Sequence, residues 1–528
     1  MISFFPLFAI FVLLMVAIVL IVLHNTRTGF AYSWLIATLG LLLAWALLFF
    51  SRLALPQLIE LVSWSPEVVY PVSPTLIIDP ISWPFAMALV TLALSTLLTS
   101  VARKSEVWSD WASTLSMTAI GLLAVMAGNP LTLILGWAAL DLTELLILMW
   151  RVEFGTLREH VVVAFSIRIG GIWLLLLGAT LTGMFEGTWS FATVSQQASL
   201  FLLFAAGLRL GVIYFGGTFR REFPFPRGLG TMLRLAPAGS SLMLLSRTAE
   251  VGVPASFVTF LLAITILVAI LAGFSWLNAK DELDGQPYWI LGMAAFSVAS
   301  AVRGQSEASL AWGLAAIFSG GLLFLYSVRH RYLLALLILG LLGFSGLPLT
   351  PLWNGMRLYA SPFSPLLLLF LIPHAMFLAG YLWHALRQGQ QLTGVERWIK
   401  VIYPWGLSLL PLVYFIVGGW GQLSLAQLEW SRTLLSMVLP SIVTLGLAAL
   451  IFMGLRMGLT IPESVNSIIV TIFSLNWLRP LLWNSFRALG GVFNFLCTVL
   501  EGEGGVLWAL LLLILLLVFM ANAGLGGV

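Results

Sequence analysis

The chain contains a single cysteine, Cys497, which excludes an internal disulfide framework and any centre in which several thiolates hold zinc or an iron–sulfur cluster. Charge is scarce as well. Asp, Glu, Lys and Arg together make up 9% of the residues, far below what a soluble domain carries. Lysine is reduced to Lys104, Lys280 and Lys400, and no G-x-x-x-x-G-K-[ST] phosphate loop occurs, so a pump driven by its own ATPase domain is excluded. The basic residues sit in scattered loops rather than along one face, which argues against a nucleic-acid partner. Neither a metal nor an organic cofactor is expected within the chain.

What remains is apolar. Hydrophobic residues account for 60% of the 528 positions, with a mean hydropathy of +1.05. The apolar runs extend for about 20 residues without strict alternation, which in hydrocarbon selects helices over barrel strands. The expected fold is therefore an all-α polytopic membrane protein with roughly 14 to 16 transmembrane helices. They run from 3–23 through 30–51, 78–101, 112–128, 130–150, 160–184, 199–217, 229–248, 256–277, 287–302, 308–328, 332–358, 362–384, 400–419 and 434–456 to 505–522. The first lacks a basic leader and an A-x-A site and reads as a span rather than a signal peptide. Segment 464–503, with Trp477, Arg479, Trp483, Arg487 and Phe493 at helical spacing, reads as a surface helix that contacts lipid or a neighbouring protein, or serves only as an anchor.

Loops after odd-numbered helices carry most of the Arg and Lys, among them Arg103, Lys104, Arg220, Arg221, Arg227, Arg397 and Lys400. Those after even-numbered helices carry few. This bias places both termini on the outer face of a bacterial inner membrane or an equivalent energy-transducing membrane.

Ionisable groups at membrane depth are costly and demand a reason. Asp141 and Glu144, at i and i+3, share one face of the fifth helix, where they either hold a proton or pair with Arg168, Arg209 or Arg234 on the next three helices. Pairing alone would make them fasteners between helices, and arginine cannot itself relay a proton. His374, after Pro373, is either a proton-relay residue or a hydrogen-bonded packing residue. The Gly343–Pro351 segment interrupts an apolar run, as a broken helix lining a cavity or as a loop between two spans.

Several short motifs, taken in order, resemble one family. They are Asp79-Pro80-Ile81-Ser82, Asn129-Pro130-Leu131-Thr132-Leu133 with Gly136-Trp137, Ala164-Phe165-Ser166-Ile167-Arg168-Ile169-Gly170, Leu322-Leu323-Phe324-Leu325 and Gly346-Leu347-Pro348-Leu349-Thr350. Across roughly residues 75–360 they resemble the antiporter-like membrane subunits of the complex I and Mrp antiporter superfamily, in particular the branch of the large complex I antiporter-like subunit. The resemblance implies inverted five-helix repeats with broken helices. It also implies an organisation into N-terminal helices 1–74, an antiporter-like core 75–400, additional helices 401–463, and a surface segment with a last span 464–528.

The family's ion path, as the resemblance implies it, uses a Glu–Lys pair in one half-channel and a lysine in the other. This chain departs from that pattern. Ala138 stands at the glutamate position, Arg209 and Arg234 at basic positions of the seventh and eighth helices, Gly171 at an aspartate and Gly320 at the second lysine. Asp141, one turn beyond Ala138, would substitute for the glutamate by facing Arg209, and Arg357, beside Met356, is the nearest cation for the second half. The ion-pathway candidates are thus Asp141, Glu144, Arg168, Arg209, Arg234, Arg357 and His374. Three functions follow. The first is a subunit without a redox site of its own in an NADH:quinone oxidoreductase-like respiratory complex, coupling redox chemistry in partners to proton or sodium translocation. The second is the membrane partner of an inorganic-carbon uptake complex, and the third a non-conducting structural subunit. Expected partners are other membrane subunits, lipid and quinone-linked subunits.

Overall fold

A backbone surrounded by hydrocarbon must satisfy its own hydrogen bonds, and this chain does so almost entirely with helices. The computed structural model describes residues 4–27, 32–61, 73–103, 107–151, 155–186, 190–212, 226–328, 330–360, 364–387, 396–419 and 433–458, with a few isolated residues beyond. The chain divides into two units, Met1–Thr460 and Ile461–Val528. The expected surface helix 464–503 and last span 505–522 lie outside the described residues apart from those isolated positions.

In the first unit the helices are α1 (Phe5–Thr26), α2 (Ser33–Ser51), α3 (Ser82–Ser100), α4 (Trp108–Val125), α5 (Pro130–Arg151), α6 (Gly155–Glu186), α7 (Gln196–Arg209) and α8 (Arg227–Val251). They continue with α9 (Ala255–Asn278), α10 (Glu282–Val302), α11 (Ser306–Leu325), α12 (Arg331–Gly343), α13 (Pro365–Leu368), α14 (Leu371–Ala385), α15 (Arg397–Gly419) and α16 (Thr433–Arg456). Fifteen of the expected spans correspond to these elements, α13 and α14 together making one. Among the described residues ten helical spans are long and apolar enough to cross a membrane, which makes this a multi-pass membrane protein.

The helices form an inner and an outer set. α3, α8, α10 and α11 are buried along nearly their whole length, whereas α1, α2, α6 and α16 expose rows of Leu, Ile, Val and Phe. Because the outer helices meet the lipid, the inner ones are free to be less apolar. α8 carries Gly228, Gly230, Gly239, Ser240 and Ser241, small residues that allow close helix packing.

The structure corrects the expected map at three places. The span expected at 332–358 ends at Gly343, and after an irregular stretch with Gly346 at φ +72° the chain re-enters as a 3₁₀ segment, Pro351–Tyr359. The span expected at 362–384 is interrupted at Leu369 and Phe370, between α13 and α14, where Pro373 has no N–H to offer the Leu369 carbonyl. A short antiparallel hairpin was not expected: β1 (Gln57–Glu60) pairs with β2 (Thr75–Ile78), Leu58 opposite Ile77, just before α3.

The family-like motifs at the helix starts are caps. Asp79 Oδ1 accepts from the backbone N–H of Ile81 (3.1 Å) and of Ser82 (2.7 Å), and from the Ser82 hydroxyl (2.9 Å). Its other oxygen pairs with Arg247 at 2.9 Å. Asn129 Oδ1 accepts from Thr132 N–H (2.8 Å) and Thr132 Oγ1 (2.7 Å), and its amide donates to Ser73 O (2.8 Å). Both side chains satisfy N–H groups that a helix start leaves without partners.

Candidate functional site

The buried face of α5 is set by residue spacing. Leu133, Gly136, Trp137, Leu140, Asp141, Glu144 and Ile147 recur at three and four residues and point inward together. Two carboxylates thereby enter the packed bundle at membrane depth, where each needs a partner.

Arg209, the last residue of α7, meets Asp141 with both guanidinium nitrogens: Nη1 to Oδ2 at 2.5 Å and Nη2 to Oδ1 at 2.7 Å. This bidentate geometry is the strong form of a carboxylate pair. Nη1 also donates to the Arg168 carbonyl at 3.3 Å. The guanidinium lies over the Trp137 ring, 4.2 Å from its centroid, and the Trp137 indole N–H donates to Ser240 Oγ at 2.9 Å. Arg168 of α6 pairs with Glu144 and stands 3.9 Å from Asp141.

Four groups therefore alternate in sign, Arg209, Asp141, Arg168, Glu144, and their formal charges cancel. Asp141 and Arg209 are buried, and Arg168 is the most accessible of the four at 16%. Gly171 makes room for this arrangement, since a Cβ there would lie 2.7 Å from Arg209 Cγ. The residue that departs from the family pattern at 171 is thus the one that admits the larger cation.

Three candidates remain. Arg234 is half-buried in α8. Arg357 reaches the surface, where it pairs at 2.6 Å with Glu307 of α11, both side chains substantially exposed at 41% and 56%. Met356 beside it is fully buried. Arg357 is thus not placed to serve as an interior cation for the second half.

His374 is buried against Phe296, Trp312 and Phe344, with ring centroids 5.9, 4.9 and 5.7 Å away. Its Nε2 lies 3.3 Å from the carbonyl of Phe344, which the end of α12 exposes. Nδ1 has no hydrogen-bond partner. With a carbonyl facing Nε2, the neutral ring donates from that nitrogen and leaves Nδ1 as an acceptor.

The position of the second expected lysine, Gly320, is filled by its neighbour. The Trp289 indole donates to Ala316 O at 3.1 Å, and a Cβ on Gly320 would come within 2.3 Å of its Nε1. Trp289 in turn packs among Trp276, Phe344, Phe377 and Tyr381 at centroid distances of 5.4, 5.1, 5.8 and 5.8 Å. This region is an aromatic core seated on glycines. No group of three or more His, Cys, Asp or Glu that could hold a metal ion occurs among the described residues.

Sequence reasoning missed Arg247 as the partner of Asp79, Trp137 as the platform under Arg209, and Trp289 as the occupant at Gly320. All three are long-range contacts without a local signal. The nearest hint was that Trp137 precedes Asp141 by one helical turn.

No protein-family profile matches this sequence, and no curated protein matches it. Solved structures do. A chain of the membrane-bound sulfane sulfur reductase, an archaeal respiratory membrane complex, superposes with a TM-score of 0.67 at 15% identity, over 97% of this chain and 99% of that one. A chain of respiratory complex I from Thermus thermophilus gives 0.58 at 17% identity, over 79% of this chain and 98% of that one. A chain of the Mrp complex from Dietzia sp. DQ12-45-1b gives 0.65 at 14% identity, over 99% of this chain and 63% of that one. These chains belong to membrane complexes, and at such low identity the likeness is one of architecture: the chain shares the polytopic helical fold of these membrane-complex subunits.

Proposed function

We propose that this chain is a membrane subunit of a multi-subunit respiratory-type complex and that it does not carry a complete ion path of its own. The assembly couples redox chemistry in partner subunits to proton or sodium translocation, and this subunit contributes the membrane scaffold together with a fixed, buried array of charge. The observation that carries this reading is the aromatic core around Gly320, where Trp289 occupies the place of an interior cation. The quartet supports it as well. Both oxygens of Asp141 are held by Arg209, so the pair fastens α5 to α7.

The test is reconstitution of the purified complex in proteoliposomes with Glu144→Gln and, separately, Asp141→Asn. The expected result is a lower yield of assembled complex with an unchanged number of ions moved per electron in the fraction that assembles. A lower ion-to-electron ratio in fully assembled complex would overturn the proposal and restore the conducting alternative.

A further inference from the structure

α2 and α15 both pack on α3, and the space between them is a cleft of about 260 Å³ lined by carbon atoms alone. Leu42 and Trp45 form one wall, Trp405 and Leu409 the other, and Leu94 and Leu98 the floor. The one hydroxyl in the lining, that of Thr38, is turned away and donates to Trp34 O at 2.8 Å. Water would find no polar partner in such a cleft. A hydrocarbon chain fits its chemistry.

The cleft has a direction. Toward the start of α15 it ends where Trp34 and Trp398 meet, with ring centroids 6.0 Å apart, and the Trp34 indole is held by Leu97 O at 2.8 Å. Paired indoles of this kind mark the depth of lipid head groups. Trp405 lies eight residues beyond Arg397, roughly 12 Å along the helix axis, which is acyl-chain depth. The same end of the bundle is basic, with Arg27 after α1, Arg103 after α3, and Arg397 and Lys400 in the first turn of α15. Arg103 is turned inward, donating to Thr99 Oγ1 at 2.9 Å, whereas Arg397 and Lys400 are exposed. Glu396 is the acidic residue beside them, and it accepts from the Trp398 indole.

We propose that this cleft holds one anionic phospholipid, with an acyl chain between α2 and α15 and its phosphate head at Arg397 and Lys400. Charge complementarity selects the head group and the carbon lining selects the chain. The site is independent of the charge quartet and of any ion path.

The test places the purified protein in nanodiscs of equimolar phosphatidylglycerol and phosphatidylcholine, followed by detergent extraction and native mass spectrometry of the retained lipid. One phosphatidylglycerol per chain is expected on the native protein. Leu42→Trp, which fills the cleft from a lipid-facing position, removes it; Leu409→Trp does the same from the opposite wall and guards against misfolding of the first variant. Arg397→Gln and Lys400→Gln each lower the preference for phosphatidylglycerol over phosphatidylcholine roughly fivefold. Equal retention of the two lipids by the native protein, or retention of phosphatidylglycerol by both folded cleft-filling variants, would overturn the proposal. So would a peptide rather than a lipid retained in the cleft.

Discussion

Replacing Arg209 by Met leaves Asp141 buried with only Arg168, 3.9 Å away, as a counterion, and gives the quartet a net formal charge of −1. Replacing Asp141 by Leu leaves Arg209 buried on Trp137 without its carboxylate and gives a net charge of +1. Each change breaks two charge-assisted hydrogen bonds, of 2.5 and 2.7 Å, and strands an ion, so each is expected to cost about 3–5 kcal/mol. Arg209→Met also loses the stacking on Trp137, worth up to about 2 kcal/mol when desolvated. The double variant restores neutrality with apolar groups and is expected to lose less than either single one. The coupling energy is then about 3 kcal/mol or more. The measurement is a double-mutant cycle on denaturant-induced unfolding in detergent micelles. Additivity within about 0.5 kcal/mol would refute the idea that the pair acts as one neutral fastener.

Other substitutions probe separate parts of the molecule. Gly171→Ala brings a Cβ to within 2.7 Å of Arg209 Cγ and 3.2 Å of Ala205 O, for an expected loss of about 1–3 kcal/mol. Gly446→Ala, with nothing within 4 Å of the new Cβ, should be neutral or stabilising by up to about 1 kcal/mol in the same unfolding assay. Gly320→Ala displaces the Trp289 indole and should cost about 1–3 kcal/mol, visible as altered near-ultraviolet dichroism of the aromatic core. Asp79→Ala removes both the cap of α3 and the partner of Arg247, a loss of at least about 2 kcal/mol. Asp79→Asn keeps the capping oxygen and should lose less. Arg357→Ala, at an exposed pair, should change stability by less than about 1 kcal/mol, and a larger effect would place Arg357 in the interior machinery after all.

The spans were legible because a lipid-facing helix must be apolar over its full length, and α1, α2 and α9 leave no ambiguity. The carboxylate face of α5 was legible for a local reason: the Asp141–Glu144 spacing fixes their common side. The facing of Asp141 and Arg209 was expected from the family resemblance, but that Glu144 would pair with Arg168 rather than Arg234 was not legible, since only packing decides between them. The hairpin of β1 and β2 escaped notice because each strand has four residues and the register depends on a partner more than a dozen positions away. Gly320 was legible as a departure from a pattern. Its occupant, Trp289, lies on another helix and became visible only in three dimensions.

The arrangement of inner and outer helices bears on how the protein is made. α8 carries Arg227, Arg234 and Arg247, ends near Glu250, and contains Pro237 within the helix, so its transfer into lipid on its own is unfavourable. It is at ease only once α3, α4 and α11 surround it. The strongly apolar α1 and α2 can therefore partition into the bilayer as they leave the ribosome, while α8 must wait at the insertion machinery until α11 has been synthesised. Nascent chains truncated after α8 should expose it to the aqueous side, and chains extended past α11 should not.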